Sequence, residues 1–141
     1  MCDAETNKGC VCEVVKIICH IQQNRERKDT CLNSCDRPFL GEEEYCEKPN
    51  TRPFVLYTSE GSLWRAFYDD CGGVGRSSVF RVEKMDGCCA TCRILKTPRD
   101  FNNDDGVFNC TRFEPTDSFI TIDLSCCCGI QCLRDVFLDC I

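Results

Sequence analysis

The chain has 141 residues, of which 17 are cysteine and 28% are charged, and its formal net charge is -6. That length suits one domain with one core, and the acidic balance argues against nucleic acid or an anionic membrane as partner, since both attract a basic surface. No apolar run approaches the roughly 20 residues that span a bilayer, and the opening MCDAETNKGCVCEVVK lacks the basic and apolar regions of a secretory signal peptide.

The segment CVCEVVKIICHIQQNRERK places Val11, Val14, Val15, Ile18 and Ile21 at helical spacing, which predicts one amphipathic helix over about residues 11–26. The charged stretch from Arg25 to Asp29 reads as its solvated end. Residues 31–52 carry Pro38, Gly41, Pro49 and three consecutive glutamates, the composition of a loop with turns. From Pro53 the pattern changes to strands. PFVLYT and LWRAFY, separated by Ser59, Glu60, Gly61 and Ser62, read as a hairpin. In SSVFRVEK, Phe80 and Val82 alternate with Arg81 and Glu83, and the turn Met85-Asp86-Gly87 leads into CCATCRIL as the partner strand. FNNDDG at 101–106 is a turn or exposed loop; VFNCTRF and SFITIDL follow, with Ile120, Ile122 and Leu124 marking one buried face.

The fold class expected is therefore mainly β: an N-terminal amphipathic helix followed by an antiparallel β-sandwich or barrel of about six or more strands, rich in disulfides. It forms a single domain over residues 1–141, with a helical arm over 1–30, a loop over 31–52 and a β domain with a cysteine-rich end over 53–141.

Cysteine makes up about 12% of the chain, above the level that marks a disulfide scaffold in a short secreted protein. A protein that stays in the cytosol keeps its thiols reduced, so this count without a signal peptide implies metal loading, export by another route, or late oxidation. Seventeen is odd, so a fully oxidised monomer still leaves one thiol over. If residues 126–128 are extended, Cys126 and Cys128 face one way and Cys127 the other, aimed at different partners. Cys19, inside the helical pattern, reads equally well as a small buried apolar residue.

Metal is the main alternative: Cys89-x-x-Cys92 is one zinc knuckle, and only CCCGIQC, with the single histidine His20, offers further ligands. An enzyme reading finds little support. CATC lacks the strand-to-helix setting that lowers a thiol pKa, Asp69-Asp70 and Asp104-Asp105 lie in turn-like segments, and CGGVGRSS has no lysine and precedes a strand. No catalytic, cofactor-binding or metal-binding residue is assigned, and no cofactor is expected.

NTRPFVLYTSEG (50–61), VFRVEKMDGCCA (79–90) and FITIDLSCCCGIQCLRDV (119–136), with the opening CVCEVVKIICHIQQ, resemble the cysteine-rich outer spore-coat and exosporium proteins of the CotY/CotZ/ExsY family along nearly the whole chain. The resemblance implies a structural protein of the bacterial spore coat or exosporium. Such a protein is made in the mother-cell cytoplasm and self-assembles, as hexamers, into a disulfide cross-linked two-dimensional hexagonal lattice that forms a resistant, semi-permeable shell. Its implied partners are itself and other coat or exosporium proteins. By the family pattern Cys12, Cys31, Cys35, Cys89, Cys110, Cys126, Cys128 and Cys132 stand at expected cysteine positions. Cys127 stands where the family has an aromatic, and Cys2, Cys19, Cys92 and Cys140 are additional.

Because chain ends lie at surfaces, Cys2, Cys10, Cys12, Cys126, Cys127, Cys128, Cys132 and Cys140 are expected to bond between subunits, and Cys31, Cys35, Cys46, Cys71, Cys88, Cys89, Cys92 and Cys110 within one. Reversible contacts from exposed strand faces, with charge pairs such as Arg81 and Glu83, are expected to set registry before the disulfides lock it.

Overall fold

A computed structural model describes residues 9–24, 49–70, 73–97, 113–139 and 141. The expected end of the helix beyond residue 24, the loop cysteines Cys31, Cys35 and Cys46, the turn at 101–106, the strand at 107–112 and Cys2, Cys71, Cys110 and Cys140 lie outside the described residues.

Helix α1 runs from Cys10 to Gln23 and ends at Asn24, whose backbone N–H donates to the His20 carbonyl. It buries Val11, Cys12, Val15, Ile18 and Cys19. Ile21, expected on that face, is instead 49% exposed. A buried stripe centred on Val15 turns past the sheet before it reaches position 21, because six residues advance the helix by well over one turn.

Seven strands follow among the described residues: β1 (Phe54–Tyr57), β2 (Ala66–Asp70), β3 (Gly73–Ser77), β4 (Val79–Asp86), β5 (Cys89–Lys96), β6 (Glu114–Asp123) and β7 (Gly129–Cys132). Five form one antiparallel sheet in the order β6-β5-β4-β1-β7, and β2 and β3 form a separate ribbon. The fold is mainly β with an N-terminal helix, as expected, and among the described residues the sheets stay open rather than closing into a barrel.

Alternation along the strands builds a core on each face of the large sheet. Phe54, Leu56, Phe80, Val82, Ala90, Cys92, Ile94 and Ile122 point to one side, where α1 and the inner residues Ala66 and Tyr68 of β2 cover them. Val55, Val79 and Leu95 point to the other, against Leu63, Phe113 and Leu138. The expected β4–β5 hairpin forms with Asp86 opposite Cys89, so the turn is Gly87-Cys88 and Gly87 takes the left-handed conformation at φ 61°.

The first expected hairpin is only partly present. The turn closes, with the Thr58 amide donating to the Ser62 carbonyl at 2.8 Å and Tyr57 bridging Leu63. Beyond that, β2 leaves β1 and pairs with β3. Both long edges of β1 are already taken, by β4 and β7, and Phe54, Val55 and Leu56 are fully buried. In the ribbon, Gly75 sits opposite Tyr68, where a Cβ would stand 2.3 Å from the ring; no other residue fits there without displacing it.

Arg81, expected on an open strand face, is only 8% exposed. Its Nε donates to Thr51 Oγ1 at 2.8 Å and its Nη1 to Glu83 Oε2 at 2.6 Å, while Arg93 Nε reaches the same carboxylate oxygen at 3.2 Å. The group ties strand to strand inside one chain, so it is not a docking charge. Lys96 and Asp70 join the ribbon to β5 by an ion pair.

Candidate functional site

Three elements bring cysteines to one end of the sheet. The first turn of α1 carries Cys10 and Cys12, the β4–β5 turn carries Cys88 with Cys89 beside it, and the segment after β6 carries Cys126 to Cys128. The Leu124 amide donates to the Cys88 carbonyl at 2.9 Å, which fastens the third element to the second. Asp123, opposite Cys89 in the ladder, accepts from the Ser125 amide at 3.0 Å and from its hydroxyl, starting a single 3-10 turn over Leu124–Cys126. Those two bonds hold the Asp123 carboxyl below its ordinary range, because they favour the ionised form.

Cys12 and Cys88 form a disulfide within the chain, with Cα atoms 5.5 Å apart across 76 positions of sequence. Cys88 was expected to bond inside the subunit and Cys12 outside it, so the assignment of Cys12 is corrected. The reason is its place on the helix: it lies on the buried face, fully enclosed, directly over the β4–β5 turn.

The remaining described cysteines separate by burial. Cys19, Cys92 and Cys127 are buried in the core between helix and sheet. Burial pushes the Cys92 thiol up to about 12, with Cys127, Glu83 and Cys19 adding to the effect. Burial also raises Cys19, opposed by Arg81 and reinforced by Glu83. Cys127 turns inward after the 3-10 turn, its amide donating to the Leu124 carbonyl at 3.1 Å, and so fills a core position. It was expected to bond between subunits; from this position its sulfur faces its own core.

Cys10, Cys89, Cys126, Cys128 and Cys132 are exposed. Cys89 was expected to bond within the subunit, as was Cys92, but β5 directs them to opposite faces, and neither carries a disulfide. The same alternation rules out Cys89 and Cys92 as one zinc knuckle, since ligands of one ion must converge. Among the described residues no three His, Cys, Asp or Glu side chains are grouped to hold a metal ion.

Cys128 immediately precedes β7, its amide donating to the Tyr57 carbonyl at 2.9 Å, and Cys132 closes the strand. β7 is an edge of the sheet, so this short strand lines the rim. Arg52 clamps the chain beyond it, donating through Nε and Nη2 to the two carboxylate oxygens of Asp135 at 2.7 and 2.9 Å. The guanidinium holds the Asp135 carboxyl below its usual range. Burial raises the Cys132 thiol, Arg52 lowers it and Asp135 raises it again.

The family model described as Spore coat protein Z matches residues 1–135. Spore coat protein Z of Bacillus subtilis (strain 168) is 31% identical over 141 residues, covering 93% of each chain. No solved structure matches.

Proposed function

Because the chain belongs to the spore coat protein Z family, we propose that this structural protein of the spore coat is a cross-linking subunit whose outward cysteines join copies of it into a two-dimensional sheet. The observation that carries the reading is the division of its cysteines. The fold consumes Cys12 and Cys88 in one internal bond and encloses Cys19, Cys92 and Cys127, while Cys10, Cys89, Cys126 and Cys132 stand exposed without a bond inside the chain. Exposed thiolates exchange with disulfides; buried thiols do not.

Exposed thiols stand at two places, Cys10, Cys89 and Cys126 at one end of the sheet and Cys132 on the β7 rim. A subunit with several cross-linking points extends a sheet, whereas one with a single point stops at a dimer. In this reading the protein is made in the mother-cell cytoplasm, assembles on the developing spore with hexagonal order, as hexamers and beside other coat or exosporium proteins, and is oxidised in place. The finished layer is a resistant, semi-permeable shell held by connectivity.

Electron microscopy of the recombinant protein tests this, before and after boiling in detergent with and without reductant. Sheets or cages that survive boiling and fall to monomers only with reductant are expected. Soluble monomers that bind zinc stoichiometrically and never assemble would replace the reading with that of a metal-binding interaction module.

A further inference from the structure

Helix α1 has a second apolar stripe that the core does not use. Ile17 and Ile21 are 57% and 49% exposed, and Cys10 is exposed, while Val14 between them is half-buried. The four positions are spaced by four, three and four residues. That is the repeat of a coiled-coil seam, standing beside the face that packs on the sheet.

We infer that this stripe is a two-fold contact with a second copy of the chain, the two α1 helices packed antiparallel so that Cys10 meets Ile21 of the partner and Val14 meets Ile17. The inference rests on the self-assembly reading for its place in the sheet and names the reversible contact that precedes covalent locking. Spacings of four, three and four read the same in both directions, so one antiparallel register fills every layer of the seam, as an isologous interface requires.

Polar groups on the flank select the direction. Glu13, 3.7 Å from Lys16, and His20, hydrogen-bonded to the Asn24 side chain, flank the stripe on the same side, seven residues apart, both exposed. In the antiparallel register each Glu13 faces the partner's His20, twice by symmetry, and no two glutamates meet. In a parallel pair these flanks lie on opposite sides of the seam, and the aligned helix dipoles repel. Beside Ile21 the surface opens into a cleft of about 240 Å³ lined by Gln22, Asn50, Thr51, Arg52 and Asp135, which leaves room for the Gly9–Cys10 end of the partner helix.

The contact is small. Four seam residues a side compare with the roughly 20–30 of a standard stable interface, so single pairs form and part readily and gain strength only when the lattice repeats them. A weak first contact lets misplaced subunits leave before disulfides form.

The test is sedimentation equilibrium of the full-length protein in mild reductant, with mass spectrometry confirming that the Cys12–Cys88 bond is intact. Wild type is expected to show concentration-dependent dimerisation that Ile17→Glu weakens at least tenfold, with unchanged circular dichroism. Glu13→Lys and His20→Glu are each expected to weaken it, and the double variant to restore it. A wild type that stays monomeric, an Ile17→Glu protein that dimerises like wild type, or a double variant no better than its parents overturns the inference. Parallel samples left to oxidise separate the two readings: disulfide-linked sheets from wild type, with any of those outcomes, sink the helix contact alone.

Discussion

Cys89 and Cys92 lie three residues apart on β5, yet one faces solvent and the other lies in the core beneath α1. The same contrast divides the described cysteines as a whole. Around Cys92 the protein has built a dry interior in which thiols stay protonated and act as small apolar side chains. At the helix start, the end of the sheet and the β7 rim, the same residue type is presented to other molecules. Cysteine content alone therefore says little about cross-linking capacity; the face on which each thiol stands decides it.

The contrast is broken most directly by reactivity. At pH 8 a thiol pushed up to about 12 carries about a thousandfold less thiolate than an ordinary one, and burial slows it further. Brief alkylation of the reduced, native protein followed by peptide mass spectrometry is expected to label Cys10, Cys89, Cys126 and Cys132 and to spare Cys92 and Cys19 until denaturant is added. Equal labelling of Cys89 and Cys92 would erase the distinction.

Removing the internal staple comes next. Cys12→Ser or Cys88→Ser releases a closure across 76 positions, worth about 4 kcal/mol on chain-entropy grounds. A fall of that order in unfolding free energy is expected from denaturant titration without reductant. If the bond instead served assembly, stability would stay put and sheet formation would fail.

A matched pair of substitutions on β5 sharpens the comparison further. Cys92→Ser places a hydroxyl where the core offers little solvation, at a cost of about 2 kcal/mol; Cys89→Ser, on the open face, is expected to leave the unfolding midpoint unchanged. Conversely, sheet formation on oxidation should suffer from the second change and not from a compensated version of the first.

The smallest expected effect is at the rim. The Asp135 carboxyl is lowered in the folded state by Arg52, so its contribution is present above the ordinary carboxylate range and is lost as pH falls through the lowered folded value. With both side chains more than a third exposed, solvent screening limits this to under about 1 kcal/mol. Asp135→Asn should flatten the acid limb of the stability curve slightly, and an unchanged acid limb would show that the clamp carries no linkage.

Much of the architecture was legible because periodicity is local. Helical spacing marked α1, alternation marked β4 with its partner β5, and Ile120, Ile122 and Leu124 marked one buried face, with Ile120 half-buried and Leu124 lying in the 3-10 turn just past the strand. The hairpin after Tyr57 was over-read, because a turn shows in sequence while competition for the edges of β1 does not. Ile21 was placed in the core by spacing alone, since periodicity gives a stripe but not its width. The surface cysteines resisted assignment for a related reason. Cys12 looks like a chain-end thiol until α1 is laid over the β4–β5 turn, and Cys127 looks like one of three rivets until the 3-10 turn rotates it inward.

The sequence by itself determined the class of the protein: a helix and antiparallel strands from the period of its apolar residues, and, through its C-terminal cysteine motif, kinship with spore-coat proteins. Tertiary structure alone decided which cysteines are available. A disulfide or a raised thiol pKa depends on what lies within a few ångströms in space, and residues 76 positions apart in the chain become neighbours only when the sheet and helix pack.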